Sequence, residues 1–225
     1  MFPGAIIETT PQPQLPHAQP ANGFPLGEPL LYLRGIRKGI GRNIACTIEN
    51  VYDQPLLRFQ SANNMPHGVW KRYYDELRFV ALNPDGSVRY FITRPAAPHG
   101  QWETQMIQVH DGGGRDLGRL RTTAPVAQFS KANGATLGFE YNRQWLGVTE
   151  VRQFQWGKKP VPIFDAEGGV IAQIRSSVRY SSRYTHFTDF LLDCPSAVPH
   201  PIPELMVVAL FNQYLYDRLQ HPSSM

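Results

Sequence analysis

The end of the chain carries the feature that most restricts its fold, a segment in which apolar residues cover every side of a helix. Glu204 to Leu219 reads ELMVVALFNQYLYDRL and contains no Gly or Pro. Such a segment is free to form about four helical turns. The apolar residues of this helix that are expected to face the interior of the fold are Leu205, Val208, Leu210, Phe211 and Leu215. Four prolines are expected to bring the chain to the helix in an extended conformation: Pro195, Pro199, Pro201 and Pro203.

A helix that is apolar all round is buried on all sides, either in a membrane or in protein. The longest near-continuous apolar run, Leu205 to Phe211, is far shorter than the roughly 17 to 25 residues needed to span a bilayer. We therefore expect the helix to be buried within the protein itself.

The rest of the chain is dominated by strand signals, with clusters of Asp, Asn and Gly between short apolar runs. Three such clusters are alike: Asn83-Pro-Asp-Gly86, Asp111-Gly-Gly-Gly114 and Asp165-Ala-Glu-Gly-Gly169. Gly supplies a positive φ, and an Asx side chain closes the turn, so each cluster predicts a hairpin. Similar turns are expected at Tyr52-Asp53-Gln54 and at Asn133-Gly134. About ten strands and one buried helix predict a closed antiparallel β-barrel with the helix through its middle.

Composition limits the domain organisation and the class of partner. Residues 1–28 are rich in Pro and are expected to form a disordered tail, which is followed by one domain over residues 29–221 and a short tail, residues 222–225. The formal charge of +4 is too small to favour a nucleic-acid partner. Two cysteines, Cys46 and Cys194, exclude a disulfide framework, and no secretory signal is visible at the start of the chain.

Four segments in this order resemble the phospholipid scramblase family, whose domain has the tubby-like fold: a closed antiparallel barrel around a hydrophobic C-terminal helix. The first runs from Cys46 to Phe59 (CTIENVYDQPLLRF), and the second from Leu77 to Pro95, ending in Arg94-Pro95. The third is Asp165 to Asp189, which ends in Phe187-Thr188-Asp189, and the fourth is the terminal helix. The resemblance covers most of the chain after Pro29.

The resemblance implies work at lipid surfaces: calcium-dependent movement of phospholipids between leaflets without energy input, or attachment to membranes. It places a calcium-binding segment directly after Phe-Thr-Asp, so Asp189 and Asp193 are the candidate metal ligands. This chain departs from the family pattern there, because Leu191 and Leu192 stand where oxygen donors are expected, and Ca²⁺ takes six to eight oxygens. The cysteine cluster that carries acyl chains in the family is also missing.

A short basic segment is the candidate contact for lipid headgroups. Arg34, Arg37, Lys38 and Arg42 place four positive charges in nine residues, interleaved with glycines. Each basic residue near an anionic membrane contributes about 1 kcal/mol to binding. The alternative interpretation is a solvated basic connector. Together with the resemblance, the segment predicts anionic phospholipid as the partner and the cytoplasmic face of the plasma membrane as the location.

Two other classes of function remain open from the sequence. One is a soluble tubby-like scaffold or signalling protein that binds phosphoinositides, or protein partners through the Pro-rich tail, where Pro13 and Pro16 form a PxxP spacing. The other is a hydrolase using Cys194 with His186 or His200, although Cys194-Pro195 is typical of a small buried residue at a strand end. No enzymatic bond chemistry is expected. The four tryptophans are interpreted as barrel-wall or core residues: Trp70, Trp102, Trp145 and Trp156.

Overall fold

A computed structural model of the 225-residue chain describes residues 23–35, 44–62, 76–96, 106–122, 135–151, 159–182 and 185–220. These residues form twelve strands, a short 3-10 helix at Pro25–Gly27 and one α-helix, α1, at Ile202–Gln220. The strands are β1 Leu30–Gly35, β2 Ala45–Glu49, β3 Pro55–Ser61, β4 Leu77–Leu82, β5 Val88–Arg94, β6 Met106–Asp111, β7 Asp116–Thr122, β8 Ala135–Tyr141, β9 Gln144–Val151, β10 Val161–Asp165, β11 Val170–Ser182 and β12 Thr185–Asp193.

The sheet is a closed antiparallel meander. Each strand pairs with its neighbours in the chain, and β1 closes the barrel by pairing with β12, Leu31 lying opposite Leu192. The predicted closed barrel is confirmed, with twelve strands in place of the expected ten or so. Alternate residues point inward, as period-two patterning requires, so that Leu31 and Leu33 are fully buried while Tyr32 and Arg34 lie on the outer wall.

The helix α1 fills the barrel. Its side chains from Leu205 to Tyr216 are buried, except that of Asn212, which is half-buried. Phe211 stacks on Phe59 of β3 with ring centroids 4.3 Å apart. On the neighbouring β2 the Tyr214 hydroxyl donates to the Ala45 carbonyl at 3.1 Å, and elsewhere on the wall Leu205 lies against Gly118 of β7. The all-round apolar pattern is therefore explained by walls on every side, as predicted.

The helix starts slightly earlier than the sequence predicts. It begins at Ile202, so Pro203 lies in its first turn rather than in the extended approach. Proline is tolerated there because the first N–H groups of a helix have no intrahelical partner.

Four hairpins share one turn geometry. In each, the first turn residue hydrogen-bonds with the fifth, and the fourth donates to the first while adopting a positive φ. The fourth residues are Asp53, Gly86, Gly114 and Gly168, with φ of 57°, 85°, 83° and 87°. Asx side chains close these turns as expected; the Asp111 carboxylate, for example, accepts from the backbone N–H groups of Gly113 and Arg115. The four turns predicted at these positions are confirmed.

The fifth hairpin, between β8 and β9, turns on Asn142 and Arg143, both with positive φ. No turn was predicted there from the sequence, and the turn predicted at Asn133-Gly134 lies outside the described residues. Because neighbouring strands are antiparallel, all five hairpin turns lie at one end of the barrel, where α1 also begins. We call this the turn end, and the end near Tyr214, where α1 finishes, the opposite end.

The barrel includes residues that precede the expected domain boundary at residue 29. Gly23 forms a β-bridge with Val198, and Cys194 N–H donates to the Pro29 carbonyl at 2.8 Å. Pro25 is buried, and the Asn50 amide donates to Glu28 at 3.4 Å. Residues 23–28 therefore belong to the barrel rather than to the tail. Residues 1–22 and 221–225 lie outside the described residues.

Candidate functional site

Arg34, a predicted headgroup ligand, is held by carboxylates of this chain. It lies on the outer wall, and its Nε is 2.6 Å from Glu49 Oε2 on β2. Its Nη2 pairs with Asp53 in the β2–β3 turn. The guanidinium carbon also lies 5.6 Å from the ring centre of Tyr32. With its charge balanced twice, Arg34 is fixed in the wall and is not available as an unpaired cation. The other three residues of this prediction, Arg37, Lys38 and Arg42, lie outside the described residues.

The structure separates Asp189 from Asp193, the candidate metal ligands. Both lie on the outward side of β12, four residues apart, which at about 3.3 Å per residue is about 13 Å along the strand. Asp193 is 3.2 Å from Arg175 of β11, and Asp189 is buried. The two carboxylates therefore do not bind one ion together. Within the described residues, no group of three or more His, Cys, Asp or Glu side chains is placed to hold a metal.

Cys194 is fully buried just after β12 and donates to the Ser196 carbonyl, with sulfur and oxygen 3.2 Å apart. Burial raises the pKa of its thiol, which disfavours the thiolate that nucleophilic chemistry needs. Of its proposed partners, His200 lies instead beside Glu204, with Nδ1 and Oε2 3.3 Å apart, and the His186 side chain lies outside the described part. The interpretation of Cys194 as a buried residue at a strand end agrees with this geometry.

A polar groove that was not predicted from the sequence lies on the outer wall between β6 and the β8–β9 turn. Its volume is about 380 Å³. Gly118 is its one lining residue without a polar side chain. The polar lining residues are Gln108, His110, Asp116, Arg119, Glu140, Tyr141, Asn142 and Arg143. No local sequence motif indicates this groove, because its residues come from separate strands.

The floor of the groove is an ion pair between neighbouring strands. Arg119 of β7 lies opposite Glu140 of β8, and its Nη2 donates to the Glu140 carboxylate. This hydrogen bond holds the pKa of Glu140 below its usual range and raises the pKa of Arg119. Both groups therefore stay charged near neutral pH. β-Bulges next to His110 and Glu140 locally change the direction of these strands.

An exposed indole lies on the outer wall opposite Glu140, outside the lining of the groove. Trp145 lies opposite Glu140 in the β8–β9 pair and is 45% exposed. Its ring lies over Gly138, where an added Cβ would be 1.9 Å from the ring. Gly138 is buried as a result. Trp145 is therefore a barrel-wall residue, in agreement with its interpretation from the sequence; the other three tryptophans lie outside the described residues.

Charge is distributed unevenly along the barrel axis. The turn end, taken as the hairpin turns and adjoining strand ends, the segment before β1 and the first turn of α1, contains three arginines: Arg89, Arg115 and Arg143. Its described residues include eleven carboxylates: Glu28, Glu49, Asp53, Asp85, Asp111, Asp116, Glu140, Asp165, Glu167, Asp193 and Glu204. The turn end is thus strongly acidic in a chain whose formal charge is +4.

Comparison with protein-family models, with curated proteins and with solved structures finds no match for this chain. The resemblance to the scramblase family accordingly stays a prediction from the sequence. Among the described residues, no helix has the length and apolar character to cross a membrane.

Proposed function

We propose that the protein docks on membrane surfaces that contain anionic phospholipid, with the opposite end of the barrel facing the lipid. The observation that carries the proposal is the acidic turn end. Eleven carboxylates against three arginines leave a large positive excess on the rest of a chain with formal charge +4. A charge distribution of this kind steers and orients a protein at an anionic surface.

The strand order identifies the chain segments that connect strands at the opposite end. Six strand pairs have their connected ends there: β1–β2, β3–β4, β5–β6, β7–β8, β9–β10 and β11–β12. The segments that connect them lie outside the described residues. By sequence, these segments contain nine Lys or Arg and two acidic residues. They are residues 36–43, 63–75, 97–105, 123–134, 152–158 and 183–184. They include Arg37, Lys38 and Arg42, which we retain as headgroup contacts.

The filled interior favours docking over passage of lipid through the barrel. Helix α1 packs against several parts of the wall, since Phe211 stacks on Phe59 of β3 and Leu205 lies against Gly118 of β7. Removing the helix would expose large apolar side chains at roughly 1.5 to 3 kcal/mol each. Docking of the intact barrel avoids that cost. This role is compatible with the resemblance to the scramblase family and with a location at the cytoplasmic face of a membrane.

Vesicle co-sedimentation tests the proposal. We expect the chain to bind vesicles of phosphatidylcholine with phosphatidylserine and to bind pure phosphatidylcholine much more weakly. Reversing Arg37, Lys38 and Arg42 to Glu is expected to weaken binding by at least about 100-fold, since losing three basic residues costs about 1 kcal/mol each and the new carboxylates are repelled by the lipid. The matched control reverses three exposed arginines elsewhere on the barrel, Arg58, Arg89 and Arg143, and retains most of the binding.

Equal binding to both kinds of vesicle, or no effect of the first reversal, would refute the proposal and favour a scaffold that binds protein partners. A fluorescent-lipid assay in proteoliposomes separates docking from transport. Docking alone predicts binding without movement of lipid between leaflets, with calcium or with chelator. Calcium-stimulated scrambling that is lost in the Asp189→Ala plus Asp193→Ala variant would instead establish the transporter function.

A further inference from the structure

We infer that the groove between β6 and the β8–β9 turn is a binding site for a neutral polyhydroxylated ligand, such as a short oligosaccharide. This function is separate from membrane docking, because the groove lies on the side wall and extends toward the turn end. Its volume of about 380 Å³ is in the range of small-molecule sites.

The charges of the groove argue for a neutral ligand. The groove is lined by two guanidinium groups, those of Arg119 and Arg143, and by two carboxylates, those of Asp116 and Glu140. An anion or a cation would meet as many like charges as opposite ones. An apolar ligand would cover charged and amide groups without offering them hydrogen bonds, which costs free energy.

The hydrogen-bonding groups of the groove match a set of hydroxyls. A hydroxyl both donates and accepts, so it is best bound where donors and acceptors alternate over short distances. In this groove the guanidinium groups donate and the carboxylates accept, while the amides of Gln108 and Asn142 offer both functions. Of these groups, the Arg119 guanidinium and the Glu140 carboxylate are already fixed by their mutual hydrogen bond. Such preorganisation lowers the entropy lost on binding.

Trp145 supplies the second element that a sugar requires. The face of a pyranose ring carries C–H groups, which pack against an aromatic surface, whereas its rim carries hydroxyls. The Trp145 indole rests on Gly138 beside Glu140 and is 45% exposed. A pyranose ring that extends from the groove past Glu140 can therefore contact the Trp145 indole while its neighbours in the ligand contact polar groups. The β-bulges on both sides of the groove are a feature often found next to binding sites.

Titration of the full chain with neutral trisaccharides tests the inference. The probes are maltotriose, cellotriose and mannotriose, each added up to about 10 mM. Binding is measured by saturation-transfer NMR and by calorimetry. We expect saturable binding of at least one of them. Asn142→Gly and, separately, Glu140→Gln are expected to weaken that binding about tenfold, since each removes or alters a hydrogen-bonding group. Glycine at position 142 keeps the turn, because Asn142 has a φ of 50°.

A matched control removes an ion pair from another part of the wall, Arg175→Gln with Asp193→Asn, and is expected to bind like the unmodified chain. Circular dichroism and thermal unfolding show that each variant is folded. The inference fails if no trisaccharide binds to the folded chain, or if both groove variants bind as well as the unmodified chain. It also fails if inorganic phosphate binds the groove while the sugars do not.

Discussion

At the scale of single residues, what a side chain does depends on partners that are distant in the sequence. Arg34 is basic and lies next to other basic residues, which made it a candidate headgroup ligand. Glu49 and Asp53 neutralise it, and their proximity follows from the pairing of β1 with β2 and from the turn after β2. Asp189 and Asp193 show the reverse case, since residues close in sequence are separated by an extended strand.

Phe211 is expected to be a dominant contributor to stability among single side chains. It stacks on Phe59 and meets Phe79 edge-on at 5.0 Å, in the middle of the barrel. Phe211→Ala should lower the free energy of unfolding by about 3 to 5 kcal/mol through lost burial and the resulting cavity. The control is Phe91→Ala on the outer wall, where the ring is 40% exposed, with an expected loss below about 1 kcal/mol. Urea denaturation of both variants measures the difference; similar losses would contradict the position of α1.

Asp111 should contribute to stability in a manner that depends on pH. Hydrogen bonds from Arg115 lower its pKa in the folded chain, those from the backbone N–H having the largest effect. The unfolded chain therefore binds a proton more readily, so this contribution is present above the unfolded pKa and is lost as pH falls through the folded one. The stability difference between the unmodified chain and Asp111→Asn should shrink below about pH 4. A difference that stays constant from pH 7 to pH 2 would refute this.

At the scale of elements, local signals predicted the hairpins and the helix, and failed where chain direction depends on tertiary contacts. Asx residues marked four of the five turns, and three of these turns also contain Gly. The fifth turn, at Asn142 and Arg143, was not predicted, because it has no glycine and nothing local indicates that Arg143 adopts a φ of 63°. The helix was predictable because its apolar residues cover all sides. The groove was not predictable from the sequence, because Gln108, Arg119 and Glu140 come from three strands, and only the folded barrel defines their register.

Gly118 is the position where β7 comes closest to its neighbours. Its φ is 112°, and an added Cβ would lie 2.6 Å from the Glu140 carbonyl oxygen. Gly168 also has a positive φ, but nothing lies within 4 Å of its added Cβ. Gly168→Ala should therefore cost about 1 kcal/mol from backbone conformation alone. Gly118→Ala should cost at least about 2 kcal/mol, because backbone atoms must also move. Equal costs in thermal unfolding would contradict the close approach of β7 and β8.

At the scale of the whole molecule, the proposed docking function depends on the uneven distribution of charge along the axis of the closed barrel. The interior is filled by α1, so function is assigned to the outer surface and the ends. The acidic turn end, and the basic composition of the segments that connect strands at the opposite end, are the basis for the proposed orientation at an anionic surface. Sequence composition alone did not indicate this charge separation, because the formal charge of +4 is modest. The strand order places the acidic residues at the turn end and identifies which segments connect the strands at the other end.

The most direct test of this orientation compares two labelled positions on bound vesicles. Ala62, beside the end of β3, and Ala166, in the β10–β11 turn, are both exposed and lie at opposite ends of the barrel, while Cys46 and Cys194 are buried. A fluorophore is attached to Ala62→Cys or to Ala166→Cys, and quenching by brominated phospholipid in phosphatidylserine vesicles is measured. Docking with the opposite end facing the lipid predicts strong quenching at position 62 and little at position 166. Equal quenching, or stronger quenching at position 166, would contradict it.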